Sequence, residues 1–226
     1  MPLITNVSRT DSTGRAYAGS QRQIQTYVSE KTHALNSAIA QPLSRYELDE
    51  NDIQWVSPLE VDKYTEYRDS EFLDRVGLGH LAPRLQEFWP QRRPCWDALS
   101  RIKGGCLLVE AKSHVQEIYG GGCGATSPQS KLKIQVALDA TKTWLGVSLD
   151  VDWTGRLYQS ANRYASLYFL REIAGVQAFL VNVYFVCDPR TPTTNDEWNP
   201  EIEGVNRELG LVGEVPYSAS VFLSAE

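Results

Sequence analysis

The chain of 226 residues predicts an α/β protein, a mixed central sheet flanked by helices with a helical N-terminal extension. Short apolar runs of strand length alternate with longer segments of helical periodicity. Trp96 to Leu99 and Leu107 to Ala111 flank the turn signal Lys103-Gly104-Gly105, which suggests an antiparallel hairpin. Val176 to Cys187 is so continuously apolar, and follows so helical a segment, that it reads as a strand buried on both faces, as parallel strands are. A hydrophobic content of 42% and an aromatic content of 10% suffice for one sizeable core. The expected organisation is a tail and helical extension over 1–62 and an α/β domain over 63–226, forming one compact unit.

Met1 to Gly19, rich in Ser, Thr and Gly, is expected to be a mobile tail. Ser20 to Ala40 places Ile24, Tyr27, Val28, Leu35, Ala38 and Ile39 on one side of a helix that Pro42 should stop. It is expected to pack on the main domain, with a dimerisation arm as the alternative. Ile53 to Leu59 suits a strand, Tyr64 to Val76 a helix ending before Gly77 and Gly79, and Leu81 to Trp89 a second helical piece. After the hairpin, Gly120 to Gly124 is read as a flexible loop, since no Gly-Lys-Ser/Thr follows to make it a nucleotide phosphate loop. Lys131 to Leu145 and Leu157 to Ala174 are helices, the second with a polar stripe of Gln159, Asn162, Arg163 and Ser166. A last helix over Asn199 to Leu209 and a strand over Val215 to Leu223 complete the chain.

The hairpin carries charges that need a reason, because Asp97, Glu110 and Lys112 lie in or beside apolar strands. A buried carboxylate normally meets an opposite charge, binds a metal or shifts its pKa. If Lys103-Gly104 is a two-residue loop, Ile102 pairs with Gly105 and Asp97 falls opposite Glu110, with β-carbons about 5 Å apart. If Gly104-Gly105 is the loop, Asp97 faces Lys112, which still shares a face with Glu110 because side chains alternate with period two. Two such carboxylates suit a hard divalent cation that keeps several waters, with Lys112 placed to orient or deprotonate a water. A rim salt bridge of Lys112 is the plainer alternative. His114 is in phase with Lys112 and is a candidate phosphate contact. Gln159 and Arg163 are candidates for a supporting, substrate-binding role.

These residues resemble the PD-(D/E)XK nuclease superfamily, whose site is an acidic residue on one strand and Glu-x-Lys on the next. Asp97, Glu110 and Lys112 stand at those positions. The family proline before the aspartate is replaced by Trp96, with Pro94 nearby. The resemblance is sharp over 94–114 and extends as an order of elements over about 64–187. It implies a restriction-endonuclease-like core and a nuclease that hydrolyses nucleic acid, DNA before RNA, leaving a 5′-phosphate and a 3′-hydroxyl. It also implies Mg²⁺ or Mn²⁺ held by Asp97, Glu110 and the Ala111 carbonyl, with Glu71, and after it Glu66, as a further ligand from the first core helix. The RecB-like branch carries a Gln and a Tyr on the following helix; Gln159 and Tyr164 are similar but five apart, not four.

A net charge of −6 and a pI near 5.2 have the wrong sign for a protein that grips duplex nucleic acid nonspecifically. From Arg84 to Lys142, however, nine Lys and Arg, including Arg92 and Arg93, face five Asp and Glu. The expectation is a focused site of low intrinsic affinity, aided by homodimerisation or a partner subunit. The four cysteines, Cys95, Cys106, Cys123 and Cys187, have no Cys-x-x-Cys spacing and read as reduced, mostly buried thiols of a cytoplasmic protein. Ala178 to Cys187 is too short to cross a membrane and contains Asn182, and Met1 to Ser20 lacks the apolar centre of a signal peptide. The alternative function is a nuclease-fold binding or scaffolding subunit without catalysis.

Overall fold

The computed structural model describes residues 9–91 and 94–225. Residues 1–8 of the expected tail, and Arg92 and Arg93 of the basic segment, lie outside the described residues. In chain order the elements are α1 (Gly19–Glu30), α2 (Thr32–Leu43), β1 (Gln54–Ser57), α3 (Asp69–Arg75), α4 (Ala82–Phe88), β2 (Ala98–Ile102), β3 (Gly105–Lys112), α5 (Pro128–Leu145), α6 (Tyr158–Tyr168), β4 (Gln177–Val186), α7 (Asn195–Glu208) and β5 (Ser218–Ser224). The strands form one mixed sheet in the order β1-β2-β3-β4-β5. β1 pairs antiparallel with β2 and β2 antiparallel with β3, whereas β4 is parallel to β3 and β5 parallel to β4. Parallel neighbours need long crossovers, and α5 with α6 supplies the first, α7 the second. Among the described residues no helix is long and apolar enough to cross a membrane.

The hairpin closes through Lys103-Gly104, with Ile102 paired to Gly105 and Gly104 at φ +75°. Gly105 is required for a different reason: a β-carbon there would stand 1.8 Å from the Gln177 carbonyl oxygen, where β4 begins alongside. Helices cover both faces of the sheet. Beneath α1 and α2, Ile24, Tyr27, Leu35 and Ile39 pack on Leu107, Val109, Phe179, Val181 and Val183. On the other face α4, α5, α6 and α7 pack over Leu99, Cys106, Leu108, Leu180 and Tyr184. The first 62 residues thus supply one helical layer and an edge strand of the same sheet.

Several boundaries differ from the sequence reading. Residues 9–18 are folded rather than a loose tail, with Thr10 bridged to Ala16, a buried Ala16, and the Asp11 carboxylate accepting the Thr13 and Arg15 amides. The single helix expected over 20–40 breaks at Lys31 (φ −126°, ψ 31°), after which α2 runs past Pro42 to Leu43. Thr26, Ser29 and Thr32 each donate a hydroxyl hydrogen bond to the carbonyl four residues back, the pattern that bends helices. The helix expected over 64–76 begins only at Asp69, because Lys63, Tyr64 and Asp69 adopt positive φ and Tyr67 bridges in extended form to Trp96. α7 starts four residues before the expected Asn199, at a capping box of Thr194 and Glu197, and tolerates Pro200 inside. α6 runs on as a π-helical turn over Phe169–Ile173. The cysteines are all free, but only Cys106 is buried; Cys95 and Cys123 are half-buried and Cys187 is exposed.

Candidate active site

The hairpin register realises the first of the two loop possibilities, so Asp97, one residue before β2, stands across from Glu110. Its amide donates to the Val109 carbonyl at 3.2 Å. Its Oδ2 accepts the Ala111 amide at 2.7 Å, so the side chain completes the ladder where β2 has ended. A strand residue directs its N–H and C=O to the same neighbour, so the Ala111 carbonyl is aimed at this edge too. Alternation then puts Glu110 and Lys112 on the face under α6, in phase with Leu108.

Glu110 is 5% exposed, and both of its oxygens are taken. Oε1 accepts hydrogen bonds from Lys112 Nζ and, at 2.7 Å, from Gln159 Nε2. Oε2 accepts from Arg163 Nε at 2.6 Å, and Arg163 Nη2 lies 2.5 Å from it as an ion pair. Gln159 Oε1 lies 3.3 Å from Lys112 Nζ and completes a ring of donors and acceptors. Burial pushes the Glu110 carboxyl up, but the Arg163 and Lys112 charges outweigh it and hold the group below its ordinary range. Gln159 and Arg163 reach Glu110 together because they lie four apart on one side of α6.

Arg163, a candidate for a supporting, substrate-binding role, is turned inward. It is 5% exposed, donates from Nη2 to the Cys95 carbonyl at 2.8 Å and lies 4.7 Å over the Trp96 ring. Its task is to hold Glu110 and brace the strand entering β2, which the spacing shared with Gln159 could not reveal. Asp97 has the opposite environment. Burial first, and then the negative charges of Glu110 and Glu66, push its carboxyl well above the usual range against the pull of Lys112. Among the described residues its Oδ1 has no hydrogen-bond partner.

Glu71 is exposed on α3 and takes no part in this network. The other carboxylate that bears on Asp97, besides Glu110, is Glu66, in the extended segment before α3, whose own pKa is raised by burial. Its burial follows from the bridge of Tyr67 to Trp96, a pairing that an acidic stretch read as helix conceals. His114 turns to Glu117, Nε2 to Oε1 at 3.2 Å, beyond the end of β3. The glycine loop is docked by backbone: Gly120 and Cys123 donate to the carbonyls of Arg156 and Thr154 at 2.9 and 2.8 Å. Gly122, at φ +77°, passes so close to Thr154 that a β-carbon would lie 2.9 Å from its oxygen. Close approach explains Gly122 alone; a β-carbon at Gly121 or Gly124 would meet nothing within 4 Å.

Beside Glu110 the face opens into a cavity of about 390 Å³ between α6, α7 and the β4–β5 pair. Asn182, the register partner of Glu110 on β4, lines it, so the run read as dry on both faces is wet at this point. The signal was a lone Asn in phase with the site inside an apolar strand. Among the described residues no group of three or more His, Cys, Asp or Glu side chains forms a metal cage. Asp97 Oδ1 and the Ala111 carbonyl, with Glu110 Oε1 only if Lys112 leaves it, are hard oxygen donors of the kind a cation uses when it keeps several waters and a phosphate. Comparison with protein-family models, with curated proteins and with solved structures finds no match for this chain.

Proposed function

We propose that this chain is a Mg²⁺- or Mn²⁺-dependent phosphodiesterase that hydrolyses nucleic acid, DNA before RNA. The observation that carries this reading is geometric: Asp97 stands across from Glu110 in the hairpin register, its Oδ1 without a hydrogen-bond partner among the described residues, with the Lys112 ammonium on Glu110 Oε1. The order of elements supports it: antiparallel β1, β2 and β3, with α3 and α4 between β1 and β2, Asp97 just before β2 and Glu110 and Lys112 on β3, followed by two helices and a parallel β4, resembles the restriction-endonuclease-like core.

Asp97, Glu110 and the Ala111 carbonyl would hold the cation. When bound, it would polarise the phosphate and lower the pKa of the attacking water. Arg163 and Gln159 fix the Glu110 carboxylate from the α6 side, so its donor geometry is set before substrate arrives. Lys112, released from Oε1, has its ammonium free to orient the water for in-line attack and to offset charge gathering on the phosphoryl oxygens. The acidic balance of the chain confines attraction for DNA to this neighbourhood.

A scaffolding subunit is the second reading, and one observation favours it: the Glu110 oxygens are already satisfied without any metal. Cleavage separates the two. With Mn²⁺ and single-stranded, duplex and branched DNA, wild type should cleave at least one substrate, and Lys112→Ala should be slower by about 10²-fold or more, the scale of a lost proton-transfer or water-orienting group. Equal rates, or no cleavage by wild type, would leave the scaffold.

A further inference from the structure

We infer that the cavity beside Glu110 receives the base and sugar of one unpaired nucleotide, placing its phosphate toward Lys112; this rests on the phosphodiesterase reading and specifies its substrate. Asn182 is the starting point. It lies between Glu110 on β3 and Ser220 on β5 in the parallel register, and strand spacing is about 4.8 Å, so its carboxamide is the immediate neighbour of the Glu110 carboxylate. Among the described residues that carboxamide has no hydrogen-bond partner, although its strand neighbours Val181 and Val183 are fully buried. Half-exposed into the cavity, its donor and acceptor are open to whatever enters.

The rest of the lining fits the same occupant. Asn206 from α7 and Ser160 from α6 add neutral donors and acceptors, and the rings of Tyr164 and Tyr184 add aromatic surface. Charge is arranged at the two ends: Lys112 beside the site, and at the far end Arg45 and Glu214, already paired with each other. A ligand anionic at one end and neutral but polar over the rest matches this, and a nucleotide has that form. A carboxamide presents a donor and an acceptor together, as the edge of a nucleobase requires, and tyrosine faces stack on any base. A volume of about 390 Å³ is that of a small-molecule pocket and admits one nucleotide, not a base pair. The preferred substrate is therefore a single strand, a frayed end or an extruded nucleotide.

The test uses the whole chain in EDTA and calorimetric titration with deoxynucleoside 5′-monophosphates, 2-deoxyribose 5-phosphate and inorganic phosphate. Wild type should bind at least one mononucleotide tenfold or more tighter than 2-deoxyribose 5-phosphate. Asn182→Leu should reduce the mononucleotide to the base-free level, and the isosteric Asn182→Asp, which keeps the shape of the side chain but loses its donor, should reorder the preference among bases. Equal binding of mononucleotide and 2-deoxyribose 5-phosphate by wild type, or unchanged affinity and preference in a folded Asn182 variant, overturns the pocket. Mn²⁺-dependent cleavage is scored separately. Base-dependent binding without cleavage of any substrate upholds the pocket and removes the hydrolytic reading. Cleavage of closed circular duplex without mononucleotide binding does the reverse.

Discussion

On the side of β3 and β4 covered by α1 and α2, Leu107, Val109, Ala111, Phe179, Val181, Val183 and Phe185 are all buried. On the opposite side the same two strands present Glu110, Lys112 and Asn182 among Leu108, Leu180 and Tyr184. Backbone, register and depth are shared, so the difference lies in side chains alone. The first face stabilises the fold, each large apolar side chain contributing about 1.5–3 kcal/mol on burial. The second gives up part of that contribution to hold charges in fixed positions, with Glu110 held by Lys112 on its own strand and by Gln159 and Arg163 from α6. Among the described residues the Asp97 carboxylate is bonded only through Oδ2, to the Ala111 amide.

The largest test of this contrast is Glu110→Gln. Removing the carboxylate charge leaves Arg163 and Lys112 without their partner, and breaking a buried ion pair in this way costs about 3–5 kcal/mol. Urea unfolding at pH 7 should show that loss. Because Glu110 titrates below its ordinary value of 4.5, the loss should be full above that value and fade as acid carries wild type through its lowered folded pKa. A stability unchanged by the substitution would mean the network is not coupled to the fold.

Exchanging the two faces gives the next largest effect. Val181→Asn places an unsatisfied carboxamide under α1 and α2 and should cost about 3 kcal/mol, whereas Asn182→Val, one residue on, faces the cavity and should stay within about 1 kcal/mol of wild type. Similar losses at both positions would erase the distinction between a dry and a wet face.

Asp97→Asn should act in the opposite direction and more weakly. The folded-state pKa of Asp97 is raised, so the folded chain holds its proton to higher pH than the unfolded one. Its ionisation therefore lowers stability as pH rises from the ordinary value of 3.8 through the folded pKa. In a chelator the variant should be the more stable protein at pH 7, and the gain should shrink toward pH 4. A loss at pH 7 would mean that the Ala111 amide bond outweighs the unanswered charge.

Much of this site was legible in local rules. The glycine turn left two registers, both putting Asp97, Glu110 and Lys112 on one face by alternation, and four-residue spacing put Gln159 and Arg163 on one side of a helix. What local rules could not reach were long-range pairings. The burial of Arg163 depends on Trp96 and the Cys95 carbonyl, 68 residues away in sequence, and the choice of Glu66 over Glu71 depends on a bridge between Tyr67 and Trp96. The break at Lys31 was present in sequence as Thr26, Ser29 and Thr32, but the apolar stripe of the helix continues across it and masked the hydroxyls. The wet face at Asn182 needed the parallel register with Glu110, which only the folded sheet supplies.

The central claim is that Asp97 and Glu110 are donors waiting for a divalent cation, with Lys112 occupying Glu110 until it arrives. Calorimetric titration of the whole chain with Mn²⁺ tests this most directly. Wild type should bind Mn²⁺, Asp97→Asn should bind it at least tenfold more weakly, and Lys112→Met should bind it more tightly, because the ammonium no longer competes for Glu110 Oε1. No heat of binding in wild type, or the same affinity in wild type and Asp97→Asn, would contradict the account and reduce the trio to a structural ion pair.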